Sequence, residues 1–207
     1  MVDREAVRRG YDDLGESYAA CRSAEGQGME ALAEFLDSLP DRARVLDAGC
    51  GPGTPVLART SAVASATGID FSREQLRLAA SNVPAASLAQ GDMTRLPVRD
   101  GGFDGVTAYH SLIHVPLDEH QTVVDEFARV LRPGGRVLLS EGPEEWRGTN
   151  PDWLETGVEM QWHVAGADAT RAQLRRAGFT ITDEWGVTDT FADDEEHWLF
   201  FAARLDG

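Results

Sequence analysis

Three aspartates at the ends of short apolar segments are the residues of this sequence best placed to bind a ligand. Asp47 lies two residues before a glycine-rich turn, and Asp70 and Asp92 follow the next two apolar segments. Because the carboxyl ends of parallel strands meet at one edge of a sheet, we expect these carboxylates to lie close together. Carboxylates accept hydrogen bonds from hydroxyl and amine groups. The pattern therefore predicts a site for a ligand that carries such donors, although Asp92 alone would also fit a loop acid.

The turn after the first segment reads Gly49-Cys50-Gly51-Pro52-Gly53. Glycine has no Cβ, so three alternate glycines let the backbone approach a ligand closely. The spacing differs from the G-x-G-x-x-G pattern that places a pyrophosphate at a helix N-terminus. A tight strand-to-helix turn without a ligand is the alternative interpretation of the turn taken alone.

Strand and helix patterns alternate along the chain and supply the elements that position these motifs. Helices are predicted over residues 4–21, 28–38, 73–82, 117–131 and 169–177. Strands are predicted over residues 44–48, 62–70, 86–90, 102–109, 136–140, 179–186 and 198–204, with an irregular segment over 143–165. This order predicts an α/β, Rossmann-like, doubly wound and mostly parallel seven-stranded sheet. An antiparallel edge strand and N-terminal lid helices complete the predicted fold.

Five segments, in this order and spacing, resemble the class I S-adenosylmethionine-dependent methyltransferases, in particular the small-molecule, methyltransferase type 11-like group. They are LDAGCGPGT (46–54), GIDFS (68–72), QGDMTRLP (90–97), FDGVTAYHSLIHVP (103–116) and LRPGGRVLLSEG (131–142). The resemblance implies a single methyltransferase domain over 1–207. Its parts would be lid helices (1–40), a cofactor-binding core (41–142), and an acceptor-side cap with the sheet edge (143–207).

The resemblance implies S-adenosylmethionine as the cofactor and assigns residues to it. Asp47 and the backbone of the glycine turn would hold the methionine end, and Asp70 would take the ribose hydroxyls. The implied cofactor-binding residues are Asp47, Gly49, Gly51, Gly53, Asp70, Phe71, Asp92, Met93, Tyr109, Tyr18 and Tyr11. A sulfonium and an ammonium without phosphate suit a site lined by carboxylates. The implied reaction is in-line displacement at the methyl group, to which alignment contributes about 7–11 kcal/mol.

A general base is needed only for a hydroxyl or a protonated amine acceptor. His114 and His110 follow the fourth strand and are the candidate catalytic residues, with a structural role as the alternative for each. On the acceptor side the candidates are Glu141, Trp153, Trp162 and His163. The tryptophan-rich segment 143–165 either caps the acceptor pocket or packs the sheet edge against the N-terminal helix. No metal site is predicted, since the two cysteines have no ligand spacing.

The charge of the protein limits the classes of molecule that we expect it to bind. The formal net charge is −16, from 35 acidic and 19 basic residues, and every basic residue is an arginine. Scattered arginines form no basic stripe for nucleic acid, and the Asn/Asp-Pro-Pro-Tyr/Phe-like signature of nucleic-acid or protein amino-group methyltransferases is missing after the fourth strand. No apolar run approaches the roughly 20 residues that span a bilayer. We therefore expect a cytoplasmic protein with a small-molecule acceptor and no nucleic-acid or membrane partner.

Acidic residues spread along the whole sequence, together with the loss of lysine, favour a protein adapted to concentrated salt over one with a single cationic partner. Two other functions stay open. A non-catalytic partner subunit would bind S-adenosylmethionine without an acceptor pocket beside the methyl group. A nicotinamide-dependent oxidoreductase would instead bind NAD.

Overall fold

Strands and helices alternate in the computed structural model, which describes residues 2–21, 26–191 and 194–207. Five parallel strands and two later ones form a seven-stranded sheet in the order β3-β2-β1-β4-β5-β9-β8. The strands are β1 (Arg44–Ala48), β2 (Ser65–Asp70), β3 (Ser87–Gln90), β4 (Phe103–Ala108), β5 (Leu131–Glu141), β8 (Phe179–Phe191) and β9 (Asp194–Leu205). Strand β9 runs antiparallel to both of its neighbours, and β8 is outermost. The predicted Rossmann-like sheet is confirmed, with its antiparallel strand next to the outer edge.

The helices cover the sheet and its ligand-facing edge. They are α1 (Arg4–Leu14), α2 (Glu16–Ala20), α3 (Gln27–Asp37), α4 (Val56–Val63), α5 (Arg73–Asn82), α6 (His120–Val130) and α7 (Ala167–Arg176). Asp3 begins α1 by accepting hydrogen bonds from the N–H groups of Glu5 and Ala6. The single helix predicted over 4–21 is wrong, because Gly15, with φ of 47°, ends α1 and separates it from α2.

Several predicted boundaries need correction. The second strand begins at Ser65 rather than Ala62, because α4 continues to Val63 and the Ala64 N–H closes its last turn on Thr60. Strand β5 extends from Leu131 to Glu141, beyond the predicted 136–140. The first residue of β5, Leu131, pairs with Phe103 at the start of β4. A register shift separates this pair from the other pairs between the two strands.

The central strands β1, β2, β4 and β5 are largely buried on both faces, as expected for parallel strands covered by helices. In β5, Val137 and Leu139 belong to the cluster that contains Phe127 of α6. Leu138 points to the other face and joins the cluster that contains Leu32 of α3. This two-sided packing holds the carboxyl ends of β1, β2 and β4 in fixed positions at one edge of the sheet.

The segment predicted to be irregular forms a hairpin instead. Strands β6 (Trp146–Trp153) and β7 (Val158–Val164) pair antiparallel in a separate two-stranded sheet. The hairpin packs against α1, where Met160 of β7 lies in one buried cluster with Val7 and Leu14. Among the residues that the structure describes, no helix is long and apolar enough to cross a membrane.

Candidate active site

The glycine turn after β1 forms the floor of a pocket at the carboxyl edge of the sheet. Gly49 and Gly51 line the pocket and have positive φ values of 78° and 52°. A Cβ on Gly49 would lie 2.4 Å from the Cβ of Ser111, so only glycine lets the turn approach the loop after β4. Gly53 lies outside the pocket lining, and a Cβ there would lie 2.9 Å from Val83. Its role in the structure is packing against α5.

Asp70, at the end of β2, is buried beside this turn. Its carboxylate accepts hydrogen bonds from the Gly51 N–H (2.8 Å) and the Ser72 N–H (2.9 Å). Burial raises the pKa of Asp70 to about 6, against the opposing effect of these backbone donors. Each carboxylate oxygen has a further lone pair, so Asp70 can also accept from two hydroxyl groups of a ligand.

Asp47 lies in β1, beside a second cleft that adjoins the first. Its Oδ1 accepts a hydrogen bond of 2.8 Å from the Thr107 hydroxyl. Tyr18 and Tyr109 line both clefts, so the two openings form one continuous binding surface. The Tyr109 hydroxyl donates to the Gly28 carbonyl at 3.0 Å, which attaches this wall to α3.

Asp92 and Met93 line the opposite end of the larger pocket. Asp92 is half exposed, and Arg4 of α1 donates to its Oδ2 at 2.8 Å. The Thr94 N–H and hydroxyl donate to its Oδ1. Arg4 also pairs with Glu119 at 3.0 Å. Sequence reasoning missed Arg4, since nothing near residue 4 indicates a partner almost ninety positions away.

Helices α1 and α2, predicted as lid helices, cover one side of the pocket. Tyr11 and Tyr18 both line the pocket, and their rings meet edge to face with centroids 5.0 Å apart. Asp12 accepts hydrogen bonds from the Ser72 hydroxyl (2.6 Å) and the Glu74 N–H (3.3 Å), which join α1 to the start of α5. Phe71 lines the same pocket below Tyr11.

Both candidate catalytic histidines line the pocket. His114 is buried, with Nε2 2.8 Å from the Tyr11 hydroxyl and Nδ1 3.1 Å from the Gln161 carbonyl. Burial lowers the pKa of His114 to about 4. His110 has a φ of 50°, and its ring stacks edge to face on Trp198 at 4.5 Å.

The predicted acceptor-side residues lie outside the pocket lining. Glu141 is fully buried and accepts from the Gly142 N–H at 2.9 Å, and burial raises its pKa to about 7. His163 is buried in β7, where burial lowers its pKa. Trp153 packs on Tyr11 and Tyr18, and Trp162 packs on His114. The hairpin therefore packs behind the lid and supports it.

The pocket and its open mouth together hold about 620 Å³ of space. Every predicted cofactor residue except Gly53 lines one of its two clefts. The geometry thus combines carboxylates for hydroxyl and cationic groups, a glycine floor, and a Tyr–His pair under an aromatic lid.

Comparison with known proteins gives matches over most of this chain. Residues 46–139 match the family described as "Methyltransferase domain". The O-methyltransferase rstn1 of Aspergillus nomiae is 30% identical, over 89% of this chain and 84% of that protein. The 27-O-demethylrifamycin SV methyltransferase of Amycolatopsis mediterranei is 39% identical, over 98% of this chain and 76% of that protein.

Other relatives, from Streptomyces, are longer, and this chain spans 50% to 58% of their length. Among solved structures, the [4+2]-cyclase SpnF superposes with a TM-score of 0.75 at 22% identity, covering 97% of this chain and 95% of that one. That likeness concerns the fold alone.

Proposed function

The chain belongs to the S-adenosylmethionine-dependent methyltransferases of the methyltransferase-domain family, and we propose that it methylates a hydroxyl group of a small molecule. The observation that carries the binding of the cofactor is the hydrogen bond from the Gly51 N–H to Asp70, in a pocket that Tyr11 and Tyr18 line. Two of its relatives have names that specify methylation at oxygen.

The residues present fit S-adenosylmethionine. Asp70 has lone pairs free for both ribose hydroxyls, and Asp47 places a second carboxylate in the adjoining cleft. A Cβ on Gly51 would project to within 3.7 Å of Tyr18 in the pocket, so the bare backbone leaves the space that a ligand needs. We assign Asp92, Met93 and Phe71 to the adenine end.

Bound S-adenosylmethionine supplies an electrophilic methyl group. The residues of this chain would bind and orient it, and the aromatic rings of Tyr11 and Tyr18 cover part of the pocket. A hydroxyl acceptor must lose a proton as it reacts, and general-base catalysis contributes about 10²–10⁴-fold to such reactions. His114 and His110, which both line the pocket, are the candidates for that task.

We further propose a small-molecule partner rather than a nucleic acid, and a cytoplasmic, salt-rich setting. The acidic composition, with a net charge of −16, supports the salt-rich setting. The missing Asn/Asp-Pro-Pro-Tyr/Phe-like signature after the fourth strand supports the small-molecule partner.

Calorimetry with S-adenosylmethionine tests the binding part of the proposal. We expect Asp70→Ala to weaken binding by about 1.5–3 kcal/mol, because hydrogen bonds to a charged group are lost. Because the pKa of Asp70 is about 6, the affinity of the unaltered protein should fall from pH 8 to pH 5 as the carboxyl is protonated, whereas that of Asp70→Ala should change much less. Asp13→Ala is the control, since Asp13 is exposed on α1. Equal affinities in all three proteins would refute the ribose assignment.

Methyl transfer itself is tested with radiolabelled S-adenosylmethionine and a panel of phenols, aliphatic alcohols, amines and carboxylic acids. We expect label in hydroxyl compounds. Label confined to amines would contradict the assignment to oxygen, and binding without any transfer would favour a non-catalytic partner subunit.

A further inference from the structure

We propose that Arg4 is a cofactor-recognition residue: from the lid helix α1 it forms, with Asp92, a donor–acceptor pair that recognises the amine-bearing edge of the adenine ring. The inference rests on the proposed binding of S-adenosylmethionine and deepens it, because it adds a residue to the adenine end of the site and gives that residue a task. It does not depend on the identity of the acceptor molecule.

Arg4 is held at the adenine end of the pocket by contacts with distant parts of the sequence. Its side chain lines the larger pocket together with Asp92, and it is the only arginine among the described residues that do so. Its Nη1 donates to Asp92 Oδ2 at 2.8 Å and to the Thr94 hydroxyl at 2.9 Å, and lies 3.0 Å from Glu119 Oε2. One end of the guanidinium is thus fixed by acceptors that follow β3 and precede α6.

These contacts use only part of the hydrogen-bonding capacity of the pair. A guanidinium has five N–H donors on three nitrogens, and the hydrogen bonds and ion pairs of Arg4 with described residues all involve Nη1. Nε and Nη2 therefore keep N–H groups for a ligand. On Asp92, Oδ1 accepts from the N–H and the hydroxyl of Thr94, while Oδ2 accepts from Arg4. Among the described contacts, Oδ2 keeps a lone pair.

A donor on Arg4 beside an acceptor on Asp92 matches the edge of adenine that carries the amine. The two side chains are in direct contact, so a ligand at this end of the pocket would meet both. Adenine offers an N–H donor on its amine next to a ring-nitrogen acceptor, whereas a 6-oxopurine has an acceptor in place of the amine. The carboxylate of Asp92 would then face an oxygen instead of a donor. The pair should therefore select adenine over a 6-oxopurine.

An ion pair that only holds the lid closed is the alternative role for Arg4. The side chains of Arg4 and Asp92 are 34% and 44% exposed, and exposed ion pairs contribute little to stability. Loss of such a contact would weaken the binding of every cofactor analogue by the same factor, because a lid does not distinguish one ring atom from another. Recognition by Arg4 instead ties the loss of affinity to one atom of the purine.

The first experiment needs no variant. Calorimetry compares S-adenosylhomocysteine with S-inosylhomocysteine, which carries an oxygen in place of the adenine amine. We expect the inosyl compound to bind at least about tenfold more weakly, because a carboxylate would face an oxygen where it now accepts from the amine. Equal affinities would overturn the recognition of the amine-bearing edge.

The second experiment removes one ring nitrogen at a time. The 1-deaza and 7-deaza analogues of S-adenosylhomocysteine carry C–H in place of the two ring nitrogens nearest the amine. We expect one of them to bind the unaltered protein about tenfold more weakly than S-adenosylhomocysteine, and Arg4→Met to bind both compounds equally, because the donor is gone. Arg9→Met is the matched control and should keep the tenfold difference. Arg9 is an exposed arginine of the same helix, paired with Glu5 at 4.0 Å.

Arg4→Lys separates recognition from the ion pairs. An ammonium in the place of Nη1 has three hydrogens, and the acceptors on Asp92, Thr94 and Glu119 would take them all. We therefore expect Arg4→Lys to keep the melting temperature of the unaltered protein and to lose the tenfold difference, as Arg4→Met does. Retention of the difference in either variant would overturn the assignment of Nε and Nη2 to the ligand.

The outcomes separate this inference from the function on which it rests. An unaltered protein that bound neither S-adenosylmethionine nor S-adenosylhomocysteine would contradict the proposed cofactor. Binding of both, with the two deaza analogues bound as tightly as S-adenosylhomocysteine, would overturn the role of Arg4 and leave the methyltransferase function standing.

Discussion

Gly51 and Gly101 have similar positive φ values but lie in different surroundings. Their φ values are 52° and 60°, so any other residue at either position pays a similar strain of roughly 1–2 kcal/mol. Gly51 faces Tyr18 in the pocket, whereas a Cβ on Gly101 would have nothing within 4 Å. We therefore expect Gly51→Val and Gly101→Val to lower the melting temperature by similar amounts, while only Gly51→Val abolishes S-adenosylmethionine binding. Calorimetry on both variants checks this, and retained binding in Gly51→Val would contradict the close approach of the backbone.

The buried carboxyl group of Glu141 predicts that the stability of the fold depends on pH. Its pKa is raised from 4.5 to about 7 by burial, so the group stabilises the fold fully only below its unfolded pKa. That contribution, up to about 3 kcal/mol, is lost as the pH rises through 7. His120, 3.8 Å away, is also held neutral, because burial lowers its pKa.

We expect Glu141→Gln to melt at a higher temperature than the unaltered protein at pH 8, and at nearly the same temperature at pH 5. Thermal melts across this range give the measurement, with the exposed Glu144→Gln as the control. A difference between Glu141→Gln and the unaltered protein that stays constant with pH would show that Glu141 does not carry a raised pKa.

At the scale of elements, Asp12 attaches the lid helix α1 to the body of the protein. It accepts from the Ser72 hydroxyl and the Glu74 N–H, while the next residue, Asp13, is exposed. We expect Asp12→Ala to speed amide hydrogen exchange in α1 by roughly tenfold or more and to weaken S-adenosylmethionine binding, because a charge-assisted contact is lost. Asp13→Ala should change neither. Equal exchange rates in the two variants would place the attachment of the lid elsewhere.

The elements differ in how far the sequence predicts them, for physical reasons. Strand β2 ends in an acid, and β1 and β4 are followed at once by a glycine and an aromatic residue. The order of these largely apolar strands along the chain largely determines the sheet. The hairpin of β6 and β7 escaped prediction because Gly148 and Pro151 interrupt its alternation of apolar and polar residues. Its stability comes instead from tryptophan contacts and from packing on α1.

The site residues also differ in how far the sequence predicts their positions. Carboxylates at strand ends follow from local pattern alone, so Asp47, Asp70 and Asp92 were predictable as a group. The pairing of Tyr11 with His114 joins residues 103 positions apart, and no local spacing encodes it. Glu141 was expected near the acceptor, but its side chain lies buried near His120, because a strand end alone does not determine which way a side chain points.

At the scale of the whole molecule, a net charge of −16 opposes compaction in dilute buffer. Helix α3 illustrates the local form of this repulsion, since Glu30, Glu34 and Asp37 are exposed at spacings that bring like charges together. Asp37 also lies at the C-terminal end of the helix, where a negative charge is unfavourable. Salt screens such repulsion, because the Debye length falls from about 10 Å at 0.1 M to about 3 Å at 1 M.

We therefore expect the melting temperature to rise steadily between 0.1 M and 3 M KCl. A fourfold variant replaces exposed acids on and just after α3 with neutral residues: Glu30→Gln, Glu34→Gln, Asp37→Asn and Asp41→Asn. It should melt at a higher temperature than the unaltered protein at 0.1 M KCl and gain less from added salt, because less repulsion remains to be screened. If added salt raised the melting temperatures of both proteins equally, the stabilisation would arise from exclusion of salt from the protein surface rather than from screening of charge. A melting temperature of the unaltered protein that did not change with KCl would contradict adaptation to concentrated salt.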